Sequence, residues 1–244
     1  MRDHGECGDA WGKVASPSPY GGIMRLEPGT LIHTRALLFD MDGTLIDSRV
    51  LVERIWKRWC DEHGLDWHVV LPRLHGVRML DSVRMFATPG MDVDAVYERL
   101  YNEEVNDVDG IVPIPGALDL LAALPPQTWT IVTSADTTLA TVRLGAAGIV
   151  PPPRMVTGEI VTEGKPHPEG YLLGAKRMGA EPEDCLVFED ARAGIDAGRA
   201  AGARVIAIAG DHPEEIDEDV EWITDLTALR VESYANGVVS LRVV

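Results

Sequence analysis

Leu37-Leu38-Phe39-Asp40-Met41-Asp42-Gly43-Thr44 decides how the rest of this 244-residue chain is read. Its apolar half is a buried strand. Its polar half delivers two carboxylates, two residues apart, into a glycine-containing turn. Like charges at the mouth of a strand repel each other and must be desolvated, so a metal ion is the simplest stabilising partner. With a side-chain period of two, Asp40 and Asp42 leave the same side of the extended chain and can address one reacting atom. Gly43 lets the backbone turn and bring N–H groups to an anion.

Outward from that strand, short apolar runs alternate with amphipathic stretches. Strands are expected at Ala36–Phe39 and at 129–133, 155–156, 185–188, 205–209 and 222–223, with helices at Ala117–Ala123, 137–147, 168–178 and 193–201 between them. Several of the strands are near-continuous hydrophobics without polar alternation, as in a parallel sheet covered on both faces. The order strand, helix, strand, helix predicts an α/β fold with a doubly wound, Rossmann-like parallel sheet.

Residues 48–113 break the rhythm and contain no strand pattern. Leu51, Val52, Ile55, Trp56 and Trp59 fall on one helical face, and 83–86 and 93–105 continue the helical period. Ile111-Val112-Pro113-Ile114-Pro115-Gly116 reads as a stiff linker back to the sheet. A helical insert thus follows the first strand, above the strand end where open α/β sheets bind ligands. Near the C-terminus, Asn236-Gly237 between two apolar runs signals a β-hairpin. The expected organisation is a disordered tail over 1–30, an α/β core from 31–48 and 114–244, and a helical cap over 49–113.

A formal charge of −17 argues against nucleic acid or an anionic membrane as partner. No apolar run approaches the roughly 18 residues needed to span a bilayer. Cys7, Cys60 and Cys185 are widely spaced and odd in number, two core thiols and one tail thiol in a reducing cytoplasm.

Three further segments follow strand ends. Thr133-Ser134-Ala135-Asp136 offers hydroxyls and helix-start N–H groups, a cradle for phosphate that also reads as a plain N-cap. In Gly164-Lys165-Pro166-His167-Pro168 a lysine is fixed between glycine and proline as a positioned point charge. Val187-Phe188-Glu189-Asp190-Ala191-Arg192-Ala193-Gly194-Ile195 is a second buried strand ending in paired acids, followed by a small-residue helix. Magnesium takes oxygen ligands, few of them from protein; Asp40, the backbone carbonyl of Asp42 and Asp190 make such a set.

In these four motifs, from residue 35 to the C-terminus, the chain resembles the haloacid dehalogenase-like (HAD) superfamily, in its phosphatase branch with a helical cap. It is most similar to sugar-phosphate phosphatases and to glycerol-3-phosphatases and 2-deoxyglucose-6-phosphatases. Leu74-His75-Gly76 in the cap, the Gly164–Pro168 run and the Phe188–Ile195 run carry that similarity. The resemblance implies a Mg²⁺-dependent phosphatase for a small sugar or sugar-alcohol phosphate, working through an aspartyl-phosphate as a monomer or weak homodimer. It makes Asp40 the nucleophile and Asp42 the acid/base, and gives the phosphoryl oxygens to Lys165, Thr133 and the N–H groups of Ser134 and Gly43. Glu189 orients the metal's water or Lys165, and His75 and Arg78 in the cap loop reach sugar hydroxyls.

Within the superfamily, dehalogenases lack the second aspartate, which is present here as Asp42. Phosphonatases carry a cap lysine; the position that matches it is Met79, and the one lysine of the insert, Lys57, lies on the Trp-rich helix. β-Phosphoglucomutases have a cap histidine where this chain has Val52. The pattern favours a hydrolase, with glycerol 3-phosphate the nearest rival substrate, a sugar phosphomutase next, and a non-enzymatic binding protein last.

Overall fold

The computed structural model describes residues 24–213, 216, 217 and 219–244. The chain runs β1 (Met24–Arg25), β2 (Leu31–Thr34), β3 (Ala36–Phe39) and β4 (Ile46–Asp47), then helices α1 (Arg49–His63), α2 (Trp67–Val70), α3 (Met79–Phe86) and α4 (Val93–Asn106). After β5 (Val112–Pro113) come α5 (Ala117–Ala123), β6 (Trp129–Ile131), α6 (Thr137–Ala146), α7 (Glu169–Met178), β7 (Cys185–Glu189), α8 (Arg192–Ala200), β8 (Arg204–Ile208) and β9 (Glu221–Ile223). A hairpin of β10 (Leu229–Ala235) and β11 (Val238–Val243) closes the chain.

The main sheet has the order β1-β9-β8-β7-β3-β6, and all its pairings are parallel. Every residue of β3 and β7 is buried, because helices cover both faces of these central strands. The aromatic pair Phe39 and Phe188 lies opposite across the β3–β7 register, with ring planes 10° apart and centroids at 4.8 Å. This stacked contact sits directly beneath the two acidic strand ends.

Four features differ from the sequence-based expectation. Residues 24–30, assigned to a disordered tail, include β1, which adds to the sheet edge through the register Met24↔Glu221, and Leu26 is buried. The remainder of that expected tail, 1–23, with Cys7, lies outside the described residues. A two-residue strand paired with a partner some 200 positions away leaves no local period to read. Similarly, β2 pairs with β11, so the expected hairpin is a three-stranded antiparallel sheet. Residues 155–156 form a single bridge, Val132↔Val156, rather than a strand.

The fourth difference lies at the root of the insert. The segment read as a linker holds β5, which pairs antiparallel with β4 in the register Ile46↔Pro113 and Asp47↔Val112. Proline is tolerated there because this ribbon is only two strands wide. Helices α1–α4 therefore enter and leave through one short ribbon. They pack on each other around Leu51, Ile55, Trp56, Trp59, Val83, Val96 and Leu100. No helix among the described residues is long and apolar enough to cross a membrane. Cys60 and Cys185 are buried free thiols, and burial raises their pKa to about 11 and about 12.

Candidate active site

The ends of the three central strands are laced together. Asp40 N–H donates to Phe188 O (2.9 Å), and Val132 N–H donates to Phe39 O (2.8 Å). These bonds fix the level at which Asp40, Thr133 and Glu189 emerge. All three are buried.

Lys165 comes from the loop before α7, and its Nζ donates to Asp40 Oδ1 and to Glu189 Oε1, the latter at 2.6 Å. Glu189 is saturated: Oε1 also accepts from Tyr171 Oη (2.7 Å), and Oε2 accepts from the N–H groups of Asp190 (3.1 Å) and Ala191 (3.3 Å). Such a carboxylate is suited to holding Lys165 in place. Gly194 makes the room, since a Cβ there would lie 1.7 Å from Glu189 Oε1.

The carboxylates of Asp40, Glu189 and Asp190 place oxygens within 4.8 Å of one another. Lys165 forms ion pairs with the first two, and Asp190 is in none among the described residues. Burial, followed by the charge of Glu189, pushes both Asp40 and Asp190 well above the usual carboxylate range, while Lys165 pulls the other way. Burial opposes the charge of Lys165, yet Asp40 and Glu189 outweigh it and raise its pKa. Two buried acids and the partly buried Asp190 face one ammonium; in their ionised forms they carry an excess of two negative charges, which fits a divalent cation.

Gly43, with φ at +82°, faces this cluster. Its N–H was expected to bind an anion; it donates instead to Ile46 O (2.7 Å), closing the turn. Its contribution is space, because Asp190 lies where a side chain on residue 43 would be.

Asp42 points elsewhere. Its Oδ1 accepts from Ser48 Oγ (2.5 Å) and from Arg143 Nη1 (2.8 Å). Ser48 occupies the N-cap of α1, yet its hydroxyl makes no capping bond and serves Asp42 instead. Arg143, on α6, is buried, and its Nη2 meets Glu104 Oε2 of α4 at 2.5 Å. Glu104 is buried too, and its Oε1 accepts from Trp56 Nε1 of α1 (2.9 Å). Neither Arg143 nor Glu104 was expected from the sequence. The signal is there: Leu139, Ala140, Arg143 and Leu144 share one helical face, as do Val96, Leu100 and Glu104. Complementary charges inside two apolar stripes mark a buried pair.

These groups open on a cavity of about 460 Å³ between the sheet end and the insert. Its floor has Asp40, Asp42, Thr133 and Ser134; its walls include Trp56, His75, Arg78, Tyr97, Tyr101 and Glu104. Thr133 Oγ1 accepts from Ala135 N–H (3.1 Å), and Ser134 Oγ donates to Gly76 O of the insert (2.7 Å). Arg78 pairs with Asp81 through Nε (2.7 Å) and donates from Nη1 to Thr162 O of the core (3.2 Å), so it spans the seam as well as lining the cavity. Asp136 caps α6 by accepting from Leu139 N–H (2.9 Å) and also accepts from Tyr101 Oη (3.2 Å).

A parallel sheet whose central strands end in Asp40-x-Asp42 and Glu189-Asp190, with Lys165 between them, defines a class of hydrolase. A family model for haloacid dehalogenase-like hydrolases matches residues 34–202. The chain belongs to that family and is an enzyme of it. It is 39% identical over 212 residues to hexitol phosphatase A of Escherichia coli (strain K12), covering 84% of this chain and 98% of that protein. It is 34% identical to glycerol-1-phosphate phosphohydrolase 2 of Saccharomyces cerevisiae, covering 73% of this chain and 76% of the relative. In fold it resembles the crystal structure of β-phosphoglucomutase from Clostridium difficile, with a TM-score of 0.69 at 22% identity over 81% of this chain and 93% of the other.

Proposed function

We propose that this enzyme is a Mg²⁺-dependent phosphatase that hydrolyses a small sugar or sugar-alcohol phosphate through an aspartyl-phosphate. The observation that carries the reading is Asp40, paired with Lys165 and lying on the floor of a cavity walled in part by the helical insert, which we read as its cap.

Asp40 attacks phosphorus in line with the departing alkoxide, forming the O–P bond of the aspartyl-phosphate as the P–O bond to the sugar breaks. Asp42 gives its proton to the leaving oxygen, then takes one from the water that attacks phosphorus, which frees Asp40 and inorganic phosphate. Lys165, kept charged by its two carboxylates, offsets the repulsion between the nucleophile and the phosphoryl oxygens. Thr133 and the N–H of Ser134 are the groups that would receive the remaining oxygens. Asp40, Asp190 and the backbone carbonyl of Asp42 are the residues that would hold Mg²⁺, and Glu189 stays committed to Lys165. When bound, Mg²⁺ supplies the positive charge that keeps Asp40 ionised despite its burial and neutralises the phosphoryl group.

The cavity walls favour a polyhydroxylated substrate. Tyr97, Tyr101, Asp136, Ser82 and Glu159 present hydroxyls and carboxylates around it, and about 460 Å³ exceeds the needs of a three-carbon phosphate. The 39% identity to a hexitol phosphatase over 98% of its length supports the same reading, while the yeast relative keeps glycerol phosphate as the second. Rates over a panel of hexitol, hexose and glycerol phosphates test this. A six-carbon polyol or sugar phosphate is expected to have the highest kcat/KM, and a clear preference for glycerol phosphate reverses the order. The protein is expected to act in the cytoplasm as a monomer or weak homodimer, which sedimentation of the purified enzyme checks.

A further inference from the structure

We infer that Arg143 is a positioning residue for Asp42, and that Glu104 fixes Arg143 from across the seam between core and insert. The inference rests on the phosphatase reading above.

Arg143 holds two acids with one guanidinium. Nη1 takes Asp42 Oδ1 at 2.8 Å and Nη2 takes Glu104 Oε2 at 2.5 Å, and only 5% of the arginine side chain is exposed. Its Nε is buried with no hydrogen-bond partner. The two Nη groups of the fork are thus committed to Asp42 and Glu104. Trp56 Nε1 then pins the other oxygen of Glu104, so the angle of the guanidinium is set by two helices of the insert, α1 and α4.

The consequence for Asp42 is specific to one atom. Ser48 and Arg143 both donate to Oδ1. Among the described residues none donates to Oδ2. Oδ2 is thus the oxygen left to pass a proton to the leaving group, on a carboxylate whose rotation is stopped by two bonds to its neighbour oxygen. Burial opposes the charge of Arg143, but Asp42 and Glu104 together overcome it, so the anchor stays cationic. A lysine at this position would supply charge without the fork and could not hold both acids in register.

The test separates alignment of Asp42 from general damage. The value of kcat/KM reports steps up to departure of the leaving group, and a good leaving group needs no proton. It is measured for wild type, Arg143→Met, Arg143→Lys and Glu104→Gln on aryl phosphates graded from 4-nitrophenyl to 4-methoxyphenyl, with thermal melting of each variant. In Arg143→Met the loss is expected to be at least tenfold greater for 4-methoxyphenyl phosphate than for 4-nitrophenyl phosphate. Glu104→Gln should show the same bias at smaller size, and Arg143→Lys should fall between wild type and Arg143→Met. Equal losses on all the esters, in whichever of these variants melts cooperatively, overturn the inference and leave Arg143 a structural residue. Wild-type enzyme that hydrolyses none of the esters would overturn the phosphatase reading itself, a result distinct from a flat leaving-group profile.

Discussion

Gly43 and Asp190 compete for the same space: a Cβ added to Gly43 would lie 1.8 Å from Asp190 Oδ2. The glycine of Asp-x-Asp-Gly-Thr and the second acid of Glu-Asp, 147 positions apart, are therefore one spatial motif. Gly43 also has φ at +82°, which an L side chain tolerates poorly. Gly43→Ala is expected to lower stability by roughly 1–2 kcal/mol from backbone strain alone. It should lower Mg²⁺-dependent turnover by at least about 100-fold by displacing Asp190, since misplaced catalytic groups cost on that order. Chemical denaturation and steady-state assays measure both; a fully active alanine variant would contradict the shared-space argument.

Asp40→Asn should abolish hydrolysis of p-nitrophenyl phosphate without loss of fold, because the amide cannot form the acyl-phosphate. Mass spectrometry of the wild type quenched during turnover should show one phosphoryl group on the peptide containing Asp40. Full activity in the asparagine variant would remove Asp40 from the mechanism.

Metal dependence has a thermodynamic signature besides activity. The pKa of Asp190 is raised on folding, first by burial and then by Glu189. Such a carboxyl does not burden the fold below its unfolded pKa of about 4, and burdens it increasingly as pH rises toward the folded value. In metal-free protein near neutral pH, Asp190→Asn should therefore melt higher than wild type by about 2–4 °C, or ~1 kcal/mol. That advantage should shrink as the pH falls toward about 4. Mg²⁺ should raise the melting temperature of the wild type far more than that of the variant, and EDTA should reverse the effect. Melting curves that ignore Mg²⁺ in both proteins would remove the metal site.

Ser48 tests whether its hydroxyl serves the helix or Asp42. An N-cap serine replaced by alanine ordinarily costs about 1 kcal/mol. Here the hydroxyl makes no cap bond and donates to Asp42. Ser48→Ala is expected to lower kcat by about tenfold, with a stability cost of about 1 kcal/mol, both from the lost bond to Asp42 rather than from a lost cap. A full capping penalty with unchanged kcat would show the opposite assignment.

The core of the site was legible because its chemistry is written in short segments. Asp40-Met41-Asp42 and Glu189-Asp190 end buried apolar runs and Lys165 sits in a rigid turn; the structure gathers Asp40, Lys165, Glu189 and Asp190, and turns Asp42 toward Ser48 and Arg143. What could not be read shares one physical cause. Strands β1, β4 and β5 are two residues long, and their pairing is made by distant partners rather than by any local period. Gly43 looked like an anion-binding amide because a turn glycine fits that role; which carbonyl would claim its N–H depended on the backbone reaching Ile46. Arg143 and Glu104 lay in helices that were correctly expected, but a charge in an apolar stripe acquires meaning only when its partner is known.

The ribbon of β4 and β5 gives the molecule a single doorway. The chain leaves the core at Asp47 and returns beside it at Val112, so the distance to be bridged is the same whatever lies between. Insert and core can then diverge separately, since a different set of helices could be spliced in at this threshold without redrawing the sheet. The splice would carry one condition: the incoming domain must bring an acid to the place of Glu104, or the core arginine would be left holding Asp42 alone.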